Sequence, residues 1–447
     1  MLSDLLTELP GRVITDPDVM AAYSRDQCGA AESGTAAAVV LARSTEDVQA
    51  VLRIASRHRV PVVTRGTGTG LAGAANAIDG CIVLSLAAMA EILEIDPLNR
   101  TARVQAGVVN GDLDAAARRH GLFYAPDPGS RAISSIGGNL ATNAGGMCCA
   151  RYGVTRDHAL QLTVVLPTGA VTTIGATTRK DVCGLALVPL VVGSEGTLCV
   201  ITEATVRLTR LPPARATAVA TFASTATAVH FVAESLHEPA AAELMDRVTV
   251  RAVNRMTGMG LDEDAGATLI VQLDSADPDR SVAACVAAAQ RQGALDTFWT
   301  VDADEGAMFM EARRAALPAL EQLGSVLLDD VCVPLTRLAE MQQRIDAIAE
   351  RCEVTIGTFG HAADGNLHPT VVYDPAEPGA SDRARQAFDE ILRAALALGG
   401  TVTGEHGIGS LKTAFVGDQL DPVGRELMHR VKAAFDPDGI LNPGRAY

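Results

Sequence analysis

Val60-Pro-Val-Val-Thr64 runs straight into Arg65-Gly-Thr-Gly-Thr-Gly-Leu-Ala-Gly73, and this junction constrains the chain more than any other stretch. It predicts a strand that opens into a turn made of main chain. Gly66, Gly68, Gly70 and Gly73 permit positive φ and close approach of backbone N–H groups, the geometry that turns successive amides into an anion nest. A phosphate-bearing ligand is the expected occupant, with a plain surface turn as the alternative. Gly68, Gly70 and Gly73 also meet the GxGxxG spacing, but a Rossmann loop opens a helix of several turns. Here five residues separate Gly73 from the turn signal Asp79-Gly80, and Cys81-Ile-Val-Leu-Ser-Leu86 then reads as another strand. The context argues against nicotinamide binding.

Two further glycine-rich stretches follow, Ser134-Ser-Ile-Gly-Gly-Asn-Leu-Ala-Thr-Asn-Ala-Gly-Gly146 and Val192-Gly-Ser-Glu-Gly-Thr197. Three such loops suit one long ligand, a dinucleotide whose pyrophosphate and fused ring touch backbone along their length. Asp127-Pro-Gly129 adds a rigid turn before the second loop.

At 447 residues the chain exceeds one core, so two or more domains are expected. A net charge of −16 repels nucleic acid and anionic lipid. The first ten residues carry acids where a secretory leader carries Lys or Arg, and the apolar runs are short or interrupted, so the expectation is a cytoplasmic protein whose membrane contact is peripheral at most. Nine scattered cysteines without a CxxC pair predict reduced thiols, not a zinc ribbon or an iron–sulfur cluster.

The first half alternates short strands with alanine-rich helices, as in α+β or α/β construction. A helix is predicted from Thr45 as cap through Ala55, with Val48, Val51, Leu52 and Ala55 on one face, and another over 110–121, closed by glycine. The pattern breaks at Thr209-Arg-Leu-Pro-Pro213, followed by predicted helices over 225–236 and 279–292 and polar loops at 302–305 and 377–382.

The C-terminal half carries its own chemistry. Phe359-Gly-His-Ala-Ala-Asp-Gly-Asn-Leu-His-Pro369 lies between strand-like residues 353–358 and 369–373, which predicts a hairpin around an Asp-Gly turn. Such a hairpin lets His361 and His368 converge on one ion at about 2.0 to 2.1 Å. Loop histidines without a metal are the alternative. Gly404-Glu-His-Gly-Ile-Gly409 offers Glu405 as a third ligand, giving two imidazoles and a carboxylate, or else a structural Glu-His pair in a turn.

The order 65–73, Pro126-Asp-Pro-Gly-Ser130, 134–146, Arg151-Tyr-Gly-Val-Thr-Arg-Asp157 and Gly193-Ser-Glu-Gly-Thr197 resembles the FAD-binding domain of the vanillyl-alcohol oxidase superfamily. The His361 and Glu405 segments narrow the resemblance to the flavin-dependent 2-hydroxy-acid dehydrogenases, which include D-lactate dehydrogenase, D-2-hydroxyglutarate dehydrogenase and the glycolate oxidase D subunit. It spans the chain from about Val39 to Gly444. It implies an α+β fold with a two-part, PCMH-type FAD-binding domain over 1–212, an α+β cap domain with an antiparallel sheet over 213–400, and a segment 401–447 packing back on the FAD domain.

The resemblance further implies the flavin contacts. They are Arg65, Gly66, Thr67, Gly68, Thr69, Gly70 and Leu71 in the first loop, Pro126, Asp127, Pro128, Gly129 and Ser130 in the proline turn, and Ile136, Gly137, Gly138, Asn139, Thr142, Asn143, Gly145 and Gly146 in the second loop. Tyr152, Gly153, Glu195, Gly196, Ile201 and Asn442 complete the set. With no histidine in the first loop, the flavin is expected to be dissociable.

For the reaction, the resemblance implies His361, His368 and Glu405 as ligands of a divalent ion (zinc, manganese or iron), Asn366 near the substrate and His406 as base. Arg313 is the candidate for the substrate carboxylate, with its neighbour Arg314, or neither, as the alternative. Hydride would pass to flavin N5 while an imidazole, of unperturbed pKa about 6.5, takes the hydroxyl proton. Ala363 replaces a glycine common in the family, which puts the geometry of its loop in question, and Leu185-Ala186 replaces a Tyr-Asp pair. Leu328 stands near a lysine of some D-2-hydroxyglutarate dehydrogenases, whereas Asp329-Asp-Val-Cys-Val-Pro334 resembles D-lactate dehydrogenases, which favours a small monocarboxylic substrate such as D-lactate or glycolate. A metal-free alcohol oxidase, a glycolate oxidase subunit dependent on partner subunits, and an inactive flavin-fold binding subunit stay open. So do the electron acceptor and a homodimeric state.

Overall fold

The computed structural model describes residues 1–178, 180–235 and 238–447. The chain forms two compact units, one of residues 1–145, 153–211 and 405–447, the other of residues 146–152 and 212–404.

In the first unit, helix Thr45–His58 buries Val48, Val51, Leu52, Ile54 and Ala55 in one core with Val40, Val62, Ile82 and Leu84 of the adjacent sheet. Its cap is Ser44, whose Oγ accepts from Asp47 N at 3.3 Å, one residue before the predicted Thr45, and it runs three residues past Ala55 to the left-handed Arg59. The sheet order is Val13–Ile14, Ala38–Leu41, Ile82–Ser85, Val62–Arg65, the last three parallel. No helix intervenes between Val62–Arg65 and Ile82–Ser85, in keeping with the rejected Rossmann reading. A second sheet is antiparallel, in the order Ile92–Asp96, Thr101–Gln105, Val200–Arg207, Ala159–Val165, Val171–Gly175. Helix Asn110–Arg118 and helix Ile136–Thr142 share its apolar cluster. The C-terminal stretch returns beside Val62, whose N–H donates to Ile440 O at 2.7 Å and whose carbonyl accepts from Asn442 N at 2.9 Å.

The second unit is built on an eight-stranded antiparallel sheet. Its main path runs Ala294–Thr300, Ala214–Phe222, Ala267–Ser275, Ala241–Asp246, Thr355–His361, Asn366–Tyr373, Ser325–Leu328, and Val331–Cys332 also pairs with Asn366–Tyr373. Helices Arg247–Thr257, Ala303–Arg314 and Ala316–Glu321 pack Val250, Val253, Met310, Ala312 and Leu320 against Met245, Ile270 and Phe359.

Several local expectations need correction here. Residues 302–305 are not a loop: Asp302 accepts from Asp304 N at 3.0 Å and Glu305 N at 2.9 Å, so the acids form a capped first turn. Residues 380–382 open helix Ala380–Ala397. The helix predicted over 279–292 is Pro278–Arg291, capped by Asp277. That predicted over 225–236 is observed as Thr225–Ser235, and Leu236 lies outside the described residues. Among the described residues no helix is long and apolar enough to cross a membrane.

Candidate functional site

The three glycine-rich loops of the first unit meet around helix Ile136–Thr142. Ser135 caps that helix through Gly138 N at 3.3 Å, and Gly66 of the first loop lies so close that a Cβ there would sit 2.2 Å from Ser135 Oγ. A Cβ on Gly137 would fall 2.7 Å from that of Ala106. At its other end the helix closes on Asn143 with φ 54°, and the third loop docks through Gly193 N to Leu140 O at 2.9 Å and Glu195 N to Ala141 O at 2.8 Å. The proline turn joins the same group, because Asn110 Nδ2 donates to Pro126 O at 3.2 Å and Asn139 Oδ1 at 3.1 Å. Arg131 holds Asp127 at 3.2 Å, the Pro128 carbonyl accepts from Arg131 N, and the Ser130 carbonyl accepts from Ser134 N.

Within the first loop, Arg65 donates to Arg25 O at 2.6 Å, and Gly68 with φ 79° folds back over its guanidinium, where a Cβ would meet Nη2 at 1.9 Å. Burial depresses the Arg65 pKa. Gly70 approaches Asp26, while Thr69 and Leu71 are half-buried. Gly153 has φ 81° beside Asp157, Ile201 is buried in its strand, and Thr142 Oγ1 donates to its own helix at Gly138 O. The chain leaves the first unit at Gly145, and Gly146 with φ 125° begins the second. Asn442 Nδ2 donates to Ala74 O at 3.0 Å and Glu195 O at 2.7 Å. Thr67 Oγ1 and Asn442 Oδ1 are buried and take no hydrogen bond from any described residue. Buried polar atoms are ordinarily paired, so both fit a polar ligand lying along these loops.

In the second unit the histidines sit on strands, not in a loop. The hairpin register pairs His361 with Asn366 and Phe359 with His368, so all four side chains share one face. The two imidazoles are diagonal neighbours, with ring centroids 5.1 Å apart and planes at 85°. The turn between them holds Gly365 at φ 86°, where a Cβ would lie 2.1 Å from Val333 O.

Glu243, on the adjoining strand directly opposite His361, is fully buried. Its carboxylate lies 2.8 and 3.0 Å from His361 Nδ1 and 2.9 Å from Arg313 Nε. The Arg313 guanidinium stands 4.6 Å from the Phe359 ring centroid. A carboxylate on Nδ1 makes that nitrogen the donor and leaves Nε2 as the lone-pair side, the arrangement of a metal-ligating imidazole. His361 thus fits a divalent ion by its donor chemistry.

Asp330, also fully buried, accepts from Asn366 Nδ2 at 2.9 Å, Thr403 Oγ1 at 2.7 Å and Gly404 N at 2.9 Å, and lies 3.6 Å from His368 Nδ1. A Cβ on Gly404 would meet Asn366 Nδ2 at 2.5 Å, which explains the glycine. Arg313 is buried, and Arg314 pairs with Glu311 at 2.7 Å. The Tyr152 hydroxyl donates to Asp274 at 2.5 Å, and Arg215 grips the same carboxylate at 2.6 and 2.9 Å. Burial pushes the Asp274 carboxyl up, but Arg215 outweighs it and holds the group below its usual range.

The predicted reaction residues therefore divide: His361, His368, Arg313 and Asn366 belong to the second unit, Glu405 and His406 to the first. His406 Nε2 lies 3.7 Å from Glu405 Oε1. Sequence reasoning does not find Glu243 and Asp330 as site residues. The available signal was an acid inside an apolar strand, Ala240-Ala-Ala-Glu-Leu-Met-Asp246, because a buried carboxylate needs a partner.

Residues 36–175 match the family model described as "FAD binding domain", and residues 211–446 match "FAD linked oxidases, C-terminal domain". The chain is 40% identical to the "Glycolate oxidase subunit GlcD" of Bacillus subtilis (strain 168), over 92% of this chain and 88% of that protein. It is 34% identical to the "D-lactate dehydrogenase" of Anaerostipes hadrus, over 98% of this chain and 94% of that one. The solved structure of p-cresol methylhydroxylase with substrate bound shares the fold at TM-score 0.83 and 18% identity, covering 100% of this chain and 96% of the other.

Proposed function

The chain belongs to the FAD-linked oxidases, with FAD as cofactor, and from that premise we propose that it oxidises a small 2-hydroxy acid, D-lactate or glycolate in the first instance, to the 2-oxo acid. The observation that carries this reading is the buried pair of imidazoles at 5.1 Å, one of them fixed by Glu243. The names of the two relatives supply the substrate class.

When bound, FAD supplies a hydride acceptor at N5 and a divalent ion supplies a Lewis acid that lowers the alcohol pKa. His361, His368 and Glu405 would hold the ion, with Glu243 fixing the tautomer of His361. His406 would take the substrate hydroxyl proton on its imidazole, a contribution of about 10² to 10⁴ in rate. Arg313, its guanidinium oriented by Glu243 and Phe359, would meet the substrate carboxylate, and Asn366 would hold Asp330 and the strand end beside the substrate. The amides of the three glycine loops would cradle the dinucleotide.

The test is anaerobic reduction of the flavin in the purified protein, followed by dye-coupled turnover with and without chelator. D-lactate or glycolate should bleach the flavin and L-lactate should not, chelation should abolish turnover until metal is restored, and His406→Ala should lower kcat by about 10² or more. Turnover that survives both chelation and His368→Ala would support a metal-free alcohol oxidase instead. A second reading, a subunit active only with partner subunits, is favoured by the relative named as one, and copurification of activity with other chains would support it.

A further inference from the structure

We infer that Glu195 is a positioning residue for His406, acting through the backbone of residues 407–409. Glu195 is 6% exposed, and each carboxylate oxygen accepts from one of two successive amides, Ile408 N and Gly409 N, both at 2.8 Å. Burial raises the Glu195 pKa, and these two amide bonds oppose that rise. Gly407, with φ 87°, lies against the same carboxylate, and a Cβ there would fall 2.9 Å from Oε1. The glycines give the segment beside His406 more conformational freedom than any other residue type, so an external clamp is what holds it in one conformation.

The clamp is itself rigid. Glu195 N donates to Ala141 O at 2.8 Å, and its carbonyl accepts from Asn442 Nδ2 at 2.7 Å. On its other side the segment is fixed by Ala72 O, which accepts from Ser410 N at 3.0 Å and Leu411 N at 3.1 Å. A Cβ on Gly409 would fall 1.8 Å from that oxygen. Each carboxylate oxygen of Glu195 thus holds one amide of the loop that carries His406. The inference rests on the reading of His406 as base.

The test compares FAD-loaded wild type with Glu195→Gln, which keeps size but turns one acceptor into an NH₂ facing a backbone N–H. Removing a supporting partner of this type lowers activity by about 10- to 100-fold. That loss is expected in kcat, with KM and FAD affinity unchanged. Amide hydrogen exchange of the 404–411 peptide should quicken in Glu195→Gln even without flavin. The double variant with His406→Ala should be no slower than His406→Ala alone, because both act on one group.

Unchanged exchange, an unchanged kcat, additive losses, or a fall in FAD affinity that accounts for the activity would each overturn the inference. If His406→Ala turns over like wild type, the base reading fails instead, and quickened exchange would leave Glu195 as a clamp of this loop without a catalytic consequence. Should Glu195→Gln not fold, Gly407→Ala strains the same contact from the other side and must give the same split between kcat and FAD affinity.

Discussion

The glycine-rich loops of the first unit are arranged mainly through main chain, and the hairpin face of the second mainly through side chains. Around helix Ile136–Thr142 the distinguishing contacts are positions where a Cβ would collide with Ser135, Ala106 or the Arg65 guanidinium. On the hairpin face of the second unit they are Glu243, Asp330, Arg313, His361 and His368, every one at most 6% exposed. A cradle of amides depends on room and on unusual φ, so it fails by strain and loses its ligand. A buried ionic face depends on charge balance, so it fails by leaving a charge without its counterpart. Substitutions in the two places should therefore be told apart by what is lost.

The largest effect is expected at Glu243→Gln, which removes the carboxylate charge beside Arg313 and His361. Breaking a buried pair from one side costs about 3 to 5 kcal/mol. Urea denaturation should show that loss and dye-coupled turnover should fall, while flavin content stays at the wild-type level. Loss of flavin together with stability would break the distinction between the two regions.

Next comes a titration in the same sheet. Asp246 caps helix Arg247–Thr257 through Thr249 N at 2.8 Å and also accepts from Thr358 N at 2.8 Å, yet burial pushes its carboxyl up to about 6, with Asp346 adding to the rise. Because the folded-state value lies above the unfolded one of about 3.9, the folded state binds the proton more tightly. The associated stability is full below about pH 4 and is lost as pH rises through 6. A rise of this size corresponds to about 3 kcal/mol. The unfolding free energy of wild type relative to Asp246→Asn should fall by that order between pH 4 and pH 7.5, and a flat difference would show that the carboxyl is not raised.

In the first unit, Gly68→Ala places a Cβ at φ 79° against the Arg65 guanidinium, which Arg25 O already holds at 2.6 Å. A residue forced into this region costs about 1 to 3 kcal/mol. Flavin content should drop, while turnover per remaining flavin is preserved, the reverse of the Glu243→Gln outcome.

The same contrast explains how much could be read from the residues alone. A backbone cradle shows in sequence as glycine at fixed offsets, so the three loops and the absence of a helix after Gly73 were legible. The α+β class and the antiparallel sheet of the C-terminal half were legible through the family resemblance. The His361 and His368 hairpin was legible through its Asp-Gly turn, although the strands extend to include both histidines. What holds these imidazoles was not, because Glu243 lies 118 residues from His361 and meets it only by strand register. The pairing of Tyr152 with Asp274 spans 122 residues and was hidden for the same reason. Residues 302–305 read as a polar loop but form a capped first turn, since local composition does not separate a loop from a helix start.

The smallest effect is expected where the second unit relies on backbone, at its hairpin turn. The family resemblance puts the loop geometry in question at Ala363, which stands where a glycine is common. The residue that needs glycine is instead Gly365, with φ 86° and Val333 O 2.1 Å from where a Cβ would stand, whereas Ala363 is not among the positive-φ residues. At a position whose φ alanine adopts freely, glycine only enlarges the unfolded ensemble, at a cost of about 0.4 to 1 kcal/mol. Ala363→Gly should therefore lower the urea midpoint slightly and leave kcat and KM unchanged. A change in kcat of more than about twofold, beyond what that modest loss of stability explains, would mean that the turn sets the distance between His361 and His368, and that this region too works through its main chain.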